Sequence, residues 1–182
     1  VLVDFLPHIL QEEGGYVNDP SDSGGATNRG ITQSTYDLHR DAKKFDRRHV
    51  LYLTLEETSE IYEKIWVDCR ADRLPVGLNL THFDFAVNAG NKRAAVTLQK
   101  CLGVKEDGII GPATLKAAEE KNGEDLIKAY SDERRGFYRR LAERRTKDKR
   151  FLRGWLLRTE RMEKRAIDAY RKSIKNSGPS TV

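Results

Sequence analysis

A mainly helical fold with one small irregular β-hairpin or loop region near the N-terminus is what this sequence predicts, on three observations. Apolar residues recur at the helical period through most of the chain. No long alternating pattern marks a strand. One stretch dense in Gly, Asn, Asp, Ser and Thr interrupts the helices early, over residues 14–32. The class is therefore mainly α with a minor β component. The 182 residues, 38% of them apolar, suffice for one compact domain or for one with a closely packed second lobe.

Taken in order, Phe5, Leu6, Ile9 and Leu10 predict a short helix over 4–13, with Asp4 as cap and Pro7 in the first turn, where its missing N–H does little harm. Glu13 continues the apolar stripe, and Gly14-Gly15 ends the helix. The polar stretch to residue 32 reads as a tight loop or small hairpin. Helices are predicted over 33–42 and 55–69. In the second, Thr54 caps the start, and Ile61, Tyr62, Ile65, Trp66 and Cys69 form the buried face. Leu74-Pro75 breaks the chain and separates a region 1–73 from a helical lobe 74–182, the whole packed as one compact unit. A buried helix over 78–90 ends at Gly90. The next, over 92–102, turns Ala94, Ala95, Leu98 and Leu102 inward. Residues 107–115 form a turn leading into a helix, with Pro112 in its first turn. Two long basic amphipathic helices, 124–145 and 151–175, complete the order. Trp66 and Trp155 are assigned to the core.

Composition removes several function classes. No apolar run approaches the roughly 20 residues that span a bilayer. The opening VLVDFLPHIL carries Asp4 and Pro7 and lacks a basic leading region, so it does not read as a secretory leader. The two cysteines, Cys69 and Cys101, match no metal spacing, and two buried free thiols are favoured over a bridge. Four scattered histidines form no metal-binding cluster, so no zinc site is expected. The net charge of +5 hides an asymmetry. Residues 128–175 hold 18 Lys/Arg against 7 Asp/Glu, a net of +11, and the rest holds 15 against 21, a net of −6. Such a run is either a solvated helical face or a surface drawn to an anionic partner, such as a bacterial envelope or a nucleic acid.

Glu13 and Asp22 suggest chemistry. Cutting a glycosidic bond usually takes two carboxyl groups, one kept protonated to release the leaving oxygen and one kept ionised. Their surroundings must differ. Glu13 ends an apolar stripe, where desolvation raises a carboxyl pKa. Asp22 lies between Ser21 and Ser23, where ionisation is cheap. The Thr27 hydroxyl is placed to position a water, and Gly24 and Gly25 let backbone approach a sugar closely. Tyr16, beside Glu13 in sequence, offers a ring to stack on a pyranose face.

The stretch EGGYVNDPSDSGGATNRGIT, residues 13–32, resembles the opening signature of glycoside hydrolase family 108, the muramidases of phage endolysins and of some bacterial lysis or secretion genes. The family's Glu-Gly-Gly falls on Glu13-Gly14-Gly15. Its Asp-x-Gly-Gly-x-Thr falls on Asp22, Gly24, Gly25 and Thr27, and its Gly-Ile-Thr on Gly30, Ile31 and Thr32. The spacing of Glu13, Asp22 and Thr27 is also similar to the Glu–Asp–Thr triad of T4-type phage lysozymes, with Thr27 one residue closer to the aspartate here. Residues 83–115, with Asp84, Asn88, Gly90, Leu98-Gln99, Asp107-Gly108, Gly111-Pro112 and Thr114, resemble that family's predicted peptidoglycan-binding region. FLRGWLLR at 151–158 resembles its closing Gly-Trp helix. The resemblance covers about residues 5–160.

What the resemblance implies is a lysozyme-like helical fold with a substrate cleft between a small lobe and a helical lobe. Region 1–73 would be the catalytic muramidase region, and 74–182 the lobe with the predicted peptidoglycan-binding region. Glu13, Asp22 and Thr27 would be catalytic, with Glu13 donating the proton and Asp22 either activating water or stabilising the transition state. Tyr16, Gly24, Gly25, Asp84 and Asn88 would contact substrate, although Asp84 and Asn88, four apart on one helical face, suit a buried polar pair equally well. The expected partner is peptidoglycan, met by a monomer made in the bacterial cytoplasm and acting in the periplasm or cell wall. The basic C-terminal helices would favour an anionic envelope, and no nucleic acid is expected. The glycan chemistry needs neither metal nor organic cofactor. A lytic transglycosylase, which needs a single Glu, and a non-catalytic peptidoglycan-binding protein are the rival readings.

Overall fold

A computed structural model describes residues 15–17 and 26–176. The helix expected over 4–13 lies outside the described residues. By internal contacts the chain divides into two compact units, Val1–Ile65 and Trp66–Val182. The division falls a few residues ahead of the Leu74-Pro75 break.

In the first unit a short hairpin pairs β1 (Thr27–Asn28) with β2 (Ile31–Thr32), antiparallel, with Thr27 opposite Thr32 and Asn28 opposite Ile31. Its two turn residues, Arg29 and Gly30, both have positive φ, 50° and 74°. That is the type I′ geometry, whose twist matches that of paired strands. Val17 extends the pairing through a bridge to Thr27, with both N–H···O contacts at 2.8 Å. Thr32 then caps α1 (Gln33–Ala42), its hydroxyl accepting the Thr35 N–H at 3.2 Å. A 3₁₀ turn (Val50–Tyr52) precedes α2 (Leu55–Asp68). Thr54 and Glu57 form a reciprocal capping box: the Glu57 N–H donates to Thr54 Oγ1 at 3.1 Å, and the Thr54 N–H to Glu57 Oε2 at 3.0 Å.

Long-range polar contacts tie the hairpin to the rest of this unit. Asn28 Nδ2 donates to the carbonyls of Val50 and Leu51, Arg29 Nη1 to that of Leu53, and the Tyr62 hydroxyl to that of Arg29. Ile31, Tyr36, Val50, Leu53, Ile61 and Tyr62 make the core beneath.

The second unit is built around α3 (Leu78–Ala89), buried at every position from Leu78 to Ala86. A helix enclosed on all sides is apolar all round, yet this one carries Asn79, Thr81, His82 and Asp84. Asn79, His82 and Asp84 find partners, as buried polar groups generally do, whereas Thr81 Oγ1 has none among the described residues. Beside this helix lies α4 (Asn91–Leu102), which carries α5 (Pro112–Glu120, with its proline at the first turn), and around it lie α6 (Glu124–Arg144) and α7 (Lys149–Asn176). The long pair α6 and α7 runs antiparallel: Glu124 at the start of α6 holds Arg171 near the end of α7 through contacts of 2.6 and 2.7 Å, and Arg135 meets Glu163 midway. At Gly77 (φ +91°) an added Cβ would lie 2.6 Å from the Ala166 carbonyl, so glycine permits the approach of α7 to the start of α3. Leu126, Ile127, Tyr130, Tyr138, Met162 and Ala166 face the core. Trp66 is buried edge-on to Phe83, whereas Trp155 is half-buried, stacked on Tyr138 at 5.0 Å. Among the described residues no helix is long and apolar enough to cross a membrane.

His82 is fully buried. Its Nε2 lies 3.0 Å from the Cys69 carbonyl, and the Tyr130 hydroxyl sits 3.2 Å from both its Nδ1 and the Ala94 carbonyl. Burial lowers its pKa to about 4, outweighing the Cys69 contact that favours the cation. The unfolded chain protonates this imidazole near 6.5, so between pH 6.5 and 4 the unfolded state binds the extra proton. Stability from this group is complete above pH 6.5 and falls as the pH drops toward 4, by about 3 kcal/mol in all. Urea unfolding at pH 7 and pH 4.5 is expected to show this loss in the wild type, with a shallower pH dependence in His82→Gln. Parallel pH dependences in the two proteins would contradict it.

Candidate active site

Of the expected site residues that are described, Tyr16 and Thr27 lie on the hairpin and its approach, and Asp84 and Asn88 lie on α3 of the second unit. Thr27 sits in β1, partly buried, with its hydroxyl 3.5 Å from the Val17 carbonyl. Tyr16 is 38% exposed, its ring 5.8 Å from that of His49 and tilted by 57°. An aromatic ring that is supported and still open to solvent suits stacking on a sugar. Glu13, Asp22, Gly24 and Gly25 lie outside the described residues. The bridge between Val17 and Thr27 joins two of the predicted site's chain segments side by side.

Beside Thr27 a surface depression of about 420 Å³ is lined by Ala26, Gln33, Asp37, Arg47, Arg48 and His49. Sequence reasoning did not single out these residues, which come from α1 and from the irregular chain after it. Gln33 organises the depression. Its amide donates to Asp37 Oδ1 at 2.8 Å and to the Arg48 carbonyl at 2.9 Å, and its Oε1 accepts the Val50 N–H at 2.7 Å. Arg47 is held by Asp41 in a bidentate pair.

Behind the depression Glu57 gathers the Tyr36 hydroxyl, Arg40 and Arg48 at 2.7–2.8 Å, along with the Thr54 N–H. Burial alone would push this carboxyl up. The Thr54 N–H, the Tyr36 hydroxyl and the Arg48 guanidinium prevail and bring it to about 2. Glu57 is thus ionised across the physiological range and acts as an anchor for the wall that carries Arg48. The Thr54–Glu57 spacing hints at the cap, but no local signal announces the convergence of Tyr36, Arg40 and Arg48.

Of the two readings open for Asp84 and Asn88, the structure gives Asp84 the buried polar one. Asp84 is 0% exposed, and its carboxylate is taken up by Arg158 (2.6 and 3.0 Å to Oδ1, 3.2 Å to Oδ2) and by Arg134 (2.6 Å to Oδ2). It offers no free oxygen to a ligand and serves as the ionic centre of the second unit. Burial favours its neutral form, but the two guanidiniums hold its carboxyl below the usual range. Arg134 is itself fully buried, its guanidinium 5.1 Å from the Phe85 ring centre and 5.6 Å from that of Tyr138. Asn88 remains at the surface, and its Nδ2 donates back to the Asp84 carbonyl at 2.8 Å. Among the described residues no cluster of His, Cys, Asp and Glu could hold a metal. Both cysteines are free thiols whose pKa burial raises to about 11.

A mainly helical chain with a small antiparallel hairpin near its N-terminus is a lysozyme-like fold. Residues 6–90 match the glycosyl hydrolase 108 family, and residues 93–160 match a predicted peptidoglycan domain. The solved structure of Brucella abortus SagA is similar over 93% of this chain and 95% of that one, with 35% sequence identity and a TM-score of 0.83. No curated protein matches the chain. The chain belongs to glycosyl hydrolase family 108 and carries the C-terminal peptidoglycan-binding region. It is a glycosyl hydrolase that acts on peptidoglycan.

Proposed function

We propose that this hydrolase is an N-acetylmuramidase, cutting the β-1,4 bond between N-acetylmuramic acid and N-acetylglucosamine. The observation that carries this reading is the spacing of Glu13, Asp22 and Thr27 inside the segment that matches the hydrolase family. In this account Glu13 protonates the leaving glycosidic oxygen. Asp22 stays ionised and either directs a water or stabilises the positive charge that develops on the sugar. Thr27, fixed in the hairpin by its bridge to Val17, orients the water through its hydroxyl. Tyr16 packs against a pyranose face, and Gly24 and Gly25 let the backbone approach the glycan. The enzyme acts as a monomer on the wall and uses no cofactor.

Product ends test the bond assignment. Digestion of purified peptidoglycan, read by mass spectrometry before and after borohydride reduction, is expected to yield reducing N-acetylmuramic acid ends. Reducing N-acetylglucosamine ends would make the enzyme a glucosaminidase. Anhydro-muramic ends would make it a transglycosylase, in which the sugar's own hydroxyl replaces water.

A further inference from the structure

Within the second unit, the loop over 107–110 is clamped by one buried side chain. Gln99 is 1% exposed. Its Nε2 donates to Asp107 Oδ1 at 2.8 Å and to the Ile109 carbonyl at 3.0 Å, and lies 3.3 Å from Thr114 Oγ1. Its Oε1 accepts the Gly108 N–H at 2.8 Å. Asp107 Oδ1 also accepts the Ile109 N–H at 3.0 Å. Gly108 (φ +78°) lets the loop lie against α4, where a Cβ would come within 2.9 Å of Lys92 Cγ. A loop fixed this firmly would be expected to tuck its apolar residue inward, and Ile110 does so at 8% exposure. Ile109 instead stands 70% exposed.

Ile109 borders a cavity of about 180 Å³ that is also lined by Ile110, Ala95, Asn91, Asp68 and Arg70. Ala95 and Ile110 are buried and form an apolar floor, while Asn91, Asp68 and Arg70 are exposed on the rim. Arg70 adopts a left-handed conformation, φ 62°, which costs a non-glycine residue about 1 kcal/mol or more. Among the described residues its guanidinium has no hydrogen-bond or ion-pair partner. The cavity is smaller than the roughly 300–1,000 Å³ of clefts that enclose drug-sized ligands. It has room for one or two small residues. A small apolar floor, a preset isoleucine wall, an amide and a rim that carries both the Asp68 carboxylate and, on Arg70, a cation without a partner among the described residues suit an alanine-sized side chain between a peptide N–H and a carboxylate.

We infer that this cavity seats the carboxylate end of a peptidoglycan stem peptide, with Arg70 on the carboxylate, Ile109, Ile110 and Ala95 around the terminal methyl groups, and Asn91 on a peptide group. The inference rests on peptidoglycan being the substrate and gives the second unit a recognition role separate from bond cleavage. Ala95 and residues 108–110 belong to the segment that matches the predicted peptidoglycan domain.

The test uses the full chain and a synthetic pentapeptide, L-Ala-γ-D-Glu-L-Lys-D-Ala-D-Ala, as its free acid and as its C-terminal amide. In an NMR titration the acid is expected to shift the Gly108 and Ile109 amides. The amide form should bind at least about tenfold more weakly. Arg70→Asn, which tolerates the left-handed backbone, should lower acid binding to the level of the amide. Ile109→Ser should weaken both peptides. Equal binding of acid and amide to the wild type would overturn the inference, as would full binding by Arg70→Asn, or shifts at these amides with a chitin oligosaccharide and none with peptide. The peptide contains no glycosidic bond. Cleavage of peptidoglycan without peptide binding would therefore overturn this inference and leave the hydrolase reading standing, whereas peptide binding without cleavage would do the reverse.

Discussion

Asp84→Asn is expected to destabilise the second unit by about 3–5 kcal/mol, the cost typical of leaving a buried charge without its counter-ion. The substitution keeps the shape of the side chain and removes its charge. Arg134, with no exposed surface, and Arg158, with a 10% exposed side chain, would then face each other across a neutral amide. Arg134 has little in reserve: its Nε and Nη1 are buried without a hydrogen-bond partner among the described residues, and only Tyr138, at 3.4 Å, adds a contact to Nη2. Phe85 and Tyr138 stabilise the guanidinium through their ring faces, by about 2 kcal/mol or somewhat more when desolvated, which cannot replace a carboxylate. Urea unfolding followed by circular dichroism measures the loss. The triple variant Asp84→Leu, Arg134→Met, Arg158→Met removes all three charges together and should recover most of the stability, because apolar packing often equals a buried ionic cluster. A change below about 1 kcal/mol in Asp84→Asn would show that the cluster carries little of the unit's stability.

This cluster also marks where sequence reasoning stops. The helices over 33–42, 78–90 and 92–102 are legible because the period of apolar residues is a local property, and the structure gives Gln33–Ala42, Leu78–Ala89 and Asn91–Leu102. Caps are legible for the same reason, as with Thr54 before α2. The partner of Asp84 is not local: Arg158 lies 74 residues away. Both arginines belong to the basic stretch 128–175, which reads as a solvated face, and nothing in its pattern separates the two inward cations from the outward ones. The depression by Thr27 escaped notice because Gln33, Asp37 and Arg47–His49 carry no motif. Folding the chain after α1 brings them together. The Gln99 clamp shows the intermediate case. The residues Gln99, Asp107, Gly108 and Thr114 all belong to the stretch 83–115 that carries the family resemblance, but their common role appears only when one amide is seen to hold all of them.

Glu13→Gln carries the second large expected effect. A positioned general acid contributes typically 10²–10⁴-fold to rate, and glutamine keeps the size of the side chain while losing its transferable proton. Turnover of peptidoglycan is therefore expected to fall by about that factor, with binding of glycan fragments little changed. Asp22→Asn should also reduce turnover, because it removes the negative charge that the oxocarbenium-like transition state requires. Stability should be unaffected by Glu13→Gln to within about 0.5 kcal/mol, which separates a loss of chemistry from a loss of fold.

The most direct test of the account is the rate at which wild type and Glu13→Gln release soluble muropeptides from purified peptidoglycan, with both proteins shown to be folded by circular dichroism. The account predicts release by the wild type, and release at least about a hundredfold slower by the variant. Equal rates would contradict the role of Glu13.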